Sequence, residues 1–355
     1  MVASPSEDVF DVMLAGPLFF DLIFSALDAP PAAGTEVQAG DIATSPGGIA
    51  NLAVATGRLG LRTTLATTFG DDIYGRWCWE FLEEHEGIDL SRSRQLSGWS
   101  TPLTVSIAAD GDRSMVTRGD PSPLSTDDLL CEGIGARAAL AELTDMGACD
   151  ATETWWQRAA RSGTRIFADI GWDSTGAWDP AALAPLASCY AFTPNAAEAM
   201  AYTRTSTPHD AARVLAERVP LVVVTCGSDG AIAIDSAAGH AVDVPAVAVE
   251  GRDATGAGDV FGACLVLGNL RGWPLEQCLH FAALGAALAV EGLGGALATP
   301  GWGDIGDWWA RTRSDGPDDL ARRYGFLTDL LAEAPTPQAR RTATVFPFAE
   351  YTRST

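Results

Sequence analysis

The apolar pattern begins with Val9 to Gly16 (VFDVMLAG), a short run ending on glycine that reads as a central strand. It continues as Pro17-Leu18-Phe19-Phe20-Asp21-Leu22, where Asp21 interrupts apolar residues. A buried carboxylate needs a partner, and a backbone N–H and a substrate hydroxyl are both open as that partner. Ala29 to Gly34 is a turn, and Val37 to Thr44 reads as an edge strand. Ser45-Pro46-Gly47-Gly48 is a glycine turn opening a helix of small residues, with Asn51 in its first turn. Thr63 to Phe69 is the next strand, and Gly70-Asp71-Asp72-Ile73-Tyr74-Gly75 leads into a helix ending near His85. Trp99 to Ile107 and Ser114 to Arg118 read as a hairpin turning at Asp110-Gly111-Asp112.

From Thr126 the pattern alternates helix and strand. Strands are expected at Arg165 to Ile170, Cys189 to Phe192 and Leu221 to Thr225. Helices are expected at Thr154 to Ser162, Asn195 to Tyr202 and Asp210 to Arg218. Repeated βα units imply a parallel sheet covered on both faces. Asn195 can cap its helix, with Glu198 as the reciprocal partner. Thr225-Cys226-Gly227-Ser228-Asp229-Gly230-Ala231 is a turn, and Ala231 to Ile234 reads as a returning strand.

Asp253-Ala254-Thr255-Gly256-Ala257-Gly258-Asp259 then opens directly into a helix that is apolar or small on nearly every face, so it is expected to be buried. The N-terminus of such a helix offers unpaired N–H groups and a positive dipole end, and glycines let an anion approach. Asp259 stands at the mouth of that anion site. There it suits proton abstraction from an attacking hydroxyl better than phosphate binding; the other reading is a charge complement to the helix dipole. Leu275 to Val290 is a second small-residue helix, followed by loops at Gly292 to Ala296 and Thr299 to Gly301. Pro317 to Ala334 forms one or two helices, and Pro335 to Thr355 is rich in Arg, Thr and Pro.

Composition narrows the function classes. The 355 residues carry a formal net charge of −23, which argues against nucleic acid or an anionic membrane as partner. A small anionic substrate stays open, because backbone dipoles and a metal act locally. Seven scattered cysteines without C-x-x-C, and an acidic N-terminus unlike a signal peptide, point to free thiols in a reducing, cytoplasmic setting. The four histidines show no zinc-like spacing, and no charge-free apolar run is long enough to cross a bilayer.

Two motifs carry a resemblance. Asp253 to Asp259 fills every fixed position of D-x-[ST]-G-A-G-D, and Gly47-Gly48, Asn51, Gly60 and Gly70-Asp71-Asp72-x-x-Gly75 precede it in the right order. Together they resemble the ribokinase-like (PfkB) carbohydrate and nucleoside kinases over roughly residues 9 to 305. The resemblance implies a three-layer α/β/α domain over 1–315, with a mostly parallel central sheet. It also implies a small β lid from about 17–45 and 97–120, with 316–355 as an extension expendable for the chemistry. It implies ATP-dependent phosphorylation of a sugar or sugar-acid hydroxyl, with Asp259 as general base and Gly256, Ala257 and Gly258 as anion hole. Asp21, Gly48, Asn51 and Arg118 are then acceptor ligands. Asn195, Thr225, Gly227, Gly230 and Thr255 face the nucleotide. Asn195 and Glu198 order Mg²⁺ through water, and Asp253 lies near a site for a monovalent cation such as K⁺. A homodimer through the lid fits the same picture.

Departures lie at Gly119 to Ser125, where relatives carry G-A-N-x-x-L, and at Gly171, where they carry Asn in D-x-N-x-R; Asp169 keeps that motif's first position. Arg118 is conditional. Projecting into the site, it favours an acceptor with a carboxylate or phosphate; facing solvent, it favours a neutral sugar. Phe19, Phe20 and Trp99 are candidates for a base-binding slot, so a nucleoside acceptor is the alternative. A non-catalytic sugar- or nucleotide-binding regulator is the alternative from another class.

Overall fold

The computed structural model describes residues 9–27, 29–109, 112–133, 135–143 and 153–341. The chain enters as β1 (Phe10–Ala15), leaves the main sheet as β2 (Leu18–Leu27) and β3 (Asp41–Gly48), and returns through α1 (Ile49–Arg58) to β4 (Thr63–Ala66). A two-stranded ladder of β5 (Thr68–Gly70) and β6 (Arg94–Leu96) flanks α2 (Ile73–Glu80), which runs on as a wider turn over Phe81–His85. Next come β7 (Leu103–Ala109), β8 (Asp112–Arg118), α3 (Thr126–Leu129), β9 (Ala136–Glu142), α4 (Trp155–Arg161) and β10 (Arg165–Asp169). A 3₁₀ segment (Pro180–Ser188) leads to β11 (Ala191–Phe192), α5 (Ala196–Thr203), α6 (Pro208–Ala216), β12 (Leu221–Thr225), β13 (Ala231–Asp235) and β14 (His240–Val244). The C-terminal part is helical: α7 (Ala257–Arg271), α8 (Leu275–Val290), α9 (Gly295–Ala298), α10 (Trp302–Asp315), α11 (Asp318–Arg323) and α12 (Leu327–Ala332).

The main sheet runs β14-β13-β12-β11-β10-β9-β1-β4. Its pairs are parallel from β4 to β12, and β13 and β14 close one edge antiparallel. Strand alternation builds two cores. Val12, Leu14, Ala138, Leu140 and Val223 face α1, α7 and α8, while Met13, Ala139, Ala141, Val222 and Val224 face α4, α5 and α6. This is a three-layer α/β/α arrangement. α7 is buried continuously from Val260 to Gly268, as its uniformly apolar sequence requires. Among the described residues no helix is long and apolar enough to cross a membrane.

The second sheet, β3-β2-β7-β8, stands apart as the lid. The expected lid segments form this sheet, with local differences here and in the neighbouring β4–β5 region. Leu18–Leu27 is a ten-residue strand despite Asp21. β3 starts later than expected and runs through Gly47-Gly48, so the glycine pair ends a strand and is not a free turn. A Cβ on Gly47 would lie 2.1 Å from Asp21 Oδ2, so the glycine makes room for that carboxylate. The expected strand Thr63 to Phe69 divides at Thr67, whose side chain donates to Gly16 O and whose N–H donates to Ser93 Oγ. Pairing of β7 with β8 confirms the hairpin, although turn residues 110 and 111 lie outside the described residues.

The expected extension is built into the fold. Tyr324 and Leu327 are fully buried in the core shared with α8 and α10. Tyr324 Oη donates to His280 O, Thr336 Oγ1 to Arg58 O, and Arg341 to Leu288 O. Residues 342–355 lie outside the described part.

Candidate active site

A cavity of about 290 Å³ opens at the carboxyl ends of β1, β9 and β10. This is where ligands bind in open α/β sheets, because strand ends diverge there and helix N-termini point in. Ala15 and Gly16 line it from β1, Glu142 from β9, Asp169 and Gly171 from β10, and Thr193 from the end of β11. The joint between lid and α1 adds Phe19, Gly48 and Asn51, and α7 adds Gly258 and Asp259.

Asp259 sits in the first turn of α7, which no side chain caps. Gly256 holds the N-cap in a left-handed conformation (φ 77°), and a Cβ there would come within 2.9 Å of Gly295 Cα. A Cβ on Gly258 would meet nothing within 4 Å, so that position opens to the cavity. Ala257 N–H donates loosely to Ala254 O at 3.3 Å, whereas Gly258 N–H finds no partner among the described residues. The turn is braced by Asp253: Oδ1 accepts from Thr255 N and Oγ1, and Oδ2 from Gly294 N.

The electrostatics are set by carboxylates. Asp259 is pushed up to about 6, mainly by burial; a hydrogen bond from Asn51 Nδ2 (3.0 Å) pulls it down, and Glu142 pushes it up. Burial likewise pushes Asp169 well above the usual carboxylate range, reinforced by Glu198, Asp259 and Glu142 and opposed by the Ile170 N–H. Glu198 is raised, chiefly by burial, against its hydrogen bonds with Asn195. Among the described residues, none that lines the cavity is a lysine, arginine or histidine.

The structure sorts the sequence candidates. Asp259, Gly258, Gly48 and Asn51 come together at the cavity. Asp21 does not line it; its carboxylate lies against Gly47 in the lid. Arg118 is exposed at the end of β8 and pairs with Asp120 at 2.8 Å. Phe20 is buried against Tyr74 and Trp77, and the Trp99 indole donates to Pro121 O, so Phe19 alone of the three aromatic candidates reaches the cavity.

Asn195 and Glu198 form the reciprocal helix cap, each contact 2.9 Å. They stand beside Thr225, whose N–H donates to Pro194 O. Gly227 has open space where a Cβ would stand, whereas a Cβ on Gly230 would lie 1.9 Å from Val244 O. The turn is thus also the β12–β13 hairpin that the returning strand implied. Gly292 to Ala296, expected as loop, ends in α9.

Sequence reading missed Glu142. Its strand, ARAALAE, is alanine-rich and does not advertise β structure. The usable signal was an acid ending a short apolar run within a βα series.

A parallel α/β sheet, a lid, and a carboxylate at a glycine-rich helix start are the features of a small-molecule kinase. The chain belongs to the pfkB family of carbohydrate kinases, whose profile matches residues 11–301. Ribokinase of Schizosaccharomyces pombe is 25% identical over 317 residues, covering 82% of this chain and 95% of that protein. The structure of Arabidopsis thaliana ribokinase complexed with ribose and ATP superposes with TM-score 0.67 at 23% identity, covering 82% of this chain and 96% of that one. A Methanocaldococcus jannaschii nucleoside kinase gives TM-score 0.65 at 18% identity, covering 86% and 98%. The protein is therefore a phosphotransferase of the sugar and nucleoside kinase type.

Proposed function

We propose that this protein transfers the γ-phosphoryl group of ATP to a hydroxyl of a neutral sugar, with Asp259 as general base. The observation that carries this reading is Asp259 itself, on the cavity wall at the start of α7 with a proton affinity near neutrality. A base poised near the working pH is the effective kind. The Gly258 N–H, beside it and without a partner among the described residues, is the group that would stabilise charge on the transferring phosphoryl. Glu142 and Asp169 accept hydrogen bonds from acceptor hydroxyls, and Asp21 supports the lid strand above them.

A neutral acceptor is favoured because carboxylates line the cavity without a cation, and because Arg118 is held at the surface by Asp120. The same acidity repels bare ATP, so the nucleotide enters with Mg²⁺ neutralising its phosphates. Mg²⁺ keeps several waters and binds through one or two carboxylates plus phosphates. Glu198, with Asn195, supplies oxygen donors for its water shell, although among the described residues no cluster forms a direct cage. Asn195, Thr225, Gly227 and Thr255 border the nucleotide, and Gly230 keeps the turn folded. Asp253, whose two carboxylate oxygens also brace the glycine turn, borders the site for a monovalent cation such as K⁺. A lid-to-lid homodimer is supported by β8, an edge strand exposing Met115 (56%) and Val116 (71%); light scattering at increasing concentration tests it.

Phe19 on the cavity wall is the observation that favours a nucleoside acceptor. An ADP-release screen over aldoses, ketoses, sugar acids, sugar phosphates and nucleosides at equal concentration decides. Preference for a neutral sugar is expected, and preference for any nucleoside or anionic sugar overturns the substrate assignment.

A further inference from the structure

The sequence offers Asn51 as an acceptor ligand, yet its contacts face the protein. Its side chain is 6% exposed, and Nδ2 donates to Asp259 Oδ2 at 3.0 Å. Oδ1 is buried and has no hydrogen-bond partner among the described residues. Gly295 lies behind the amide, where a Cβ would stand 2.4 Å from Oδ1, so the side chain is confined. An ionised carboxylate only accepts, so the amide must turn its nitrogen to Asp259, and the confined side chain holds it there.

We propose that Asn51 is a positioning residue for the general base: it pins Oδ2 of Asp259 and leaves Oδ1 to take the proton of the acceptor hydroxyl. The inference rests on the reading of Asp259 as base. In that step the acceptor oxygen forms its bond to the γ-phosphorus and its proton passes to Oδ1. The bond from the γ-phosphorus to the β–γ bridging oxygen breaks, and ADP leaves with that electron pair. The charged groups facing Asp259 are Glu142 at the end of β9, which raises its proton affinity, and Asp169 at the end of β10, whose own proton affinity Asp259 raises. Asn51, from α1, opposes Glu142. Because β3 runs directly into α1, the device sits three residues from the lid, and lid position and base geometry are set by one joint.

The test compares Asn51→Leu and the isosteric Asn51→Asp with wild type and Asp259→Asn. It measures kcat and KM against pH on the acceptor found by the screen, with melting curves to confirm folding. In parallel, ¹³C NMR of aspartate-labelled protein follows the Asp259 carboxyl, assigned by its loss in Asp259→Asn. The acid limb of kcat should move up by about half a unit to one unit in Asn51→Leu, and further in Asn51→Asp, where two carboxylates meet. The NMR titration should move with it, and activity should recover toward alkaline pH. A raised KM with an unmoved limb and an unmoved titration overturns the inference and makes Asn51 an acceptor ligand. If Asp259→Asn itself keeps full turnover, the reading of Asp259 as base fails instead, and the positioning role falls with it.

Discussion

Asp259 meets two conflicting demands. Burial raises its proton affinity to about 6, while the proposed role as base needs it ionised. kcat is therefore expected to plateau above that value and to fall as pH drops through it, which a pH–rate profile at saturating substrates checks. The linked effect on stability has the opposite sign. The folded carboxyl binds its proton more tightly than the unfolded one, whose ordinary value is 3.8. The stability this contributes is complete below that lower value and is lost as pH rises through about 6. At neutral pH the ionised carboxylate thus costs stability. Asp259→Asn should lower kcat by about 10²–10⁴ while ATP still binds, and should raise Tm at neutral pH by roughly 2–4 °C. That gain should shrink on acidification. A lower Tm at neutral pH would mean that the hydrogen bond from Asn51 outweighs desolvation.

At the scale of elements, the site is assembled at two joints. One is the start of α7, where Gly258 faces the cavity with room for a side chain. Gly258→Val should fold with near-normal melting and lose turnover by about 10²-fold or more, because it blocks approach to an unpaired N–H. Full activity in a folded variant would remove the anion-hole role. The other joint is the passage from β3 to α1. Gly47→Ala sets a methyl against the Asp21 carboxylate, so it should raise the acceptor KM while leaving ATP affinity unchanged, as isothermal titration would measure.

These joints differ in how far they were legible. The α7 start was readable because one heptapeptide holds its glycines and its base. The helix–strand alternation and the buried character of α7 were readable from apolar runs. β9 was not, since alanine favours helix and only the parallel partners β1 and β10 make Ala136–Glu142 a strand. Nor was the contact of Asn51 with Asp259 readable as a hydrogen bond, because 208 residues separate them and only the packing of α1 on α7 brings them together. The place of the lid followed from the resemblance, but the fit of Asp21 was hidden: it breaks the apolar pattern of β2, and the space that admits it belongs to a glycine on another strand.

For the whole molecule, the segment after α10 changes what counts as the domain. Tyr324 and Leu327 are wholly enclosed, and Trp308 packs edge-on against Tyr324. Leu327→Ala should cost about 2–5 kcal/mol in urea unfolding. Truncation after residue 316 should lower solubility and melting temperature sharply and, by loosening the core behind α8, also lower turnover, where the sequence reading expected the extension to be expendable for the chemistry. A truncated protein with unchanged Tm and full turnover would restore that expectation.

The strap at residues 335–341 has one more consequence. Pro335 packs on Gly60, and Thr336 Oγ1 reaches back 278 residues to the carbonyl of Arg58. A nascent chain can form β1, the lid and α1 early, but the end of α1 stays uncovered until nearly all of this sequence has left the ribosome. Contacts of such long sequence separation close slowly, so during synthesis the half that carries Asn51 waits, with part of its surface open to chaperones or to aggregation, for the half that carries Asp259.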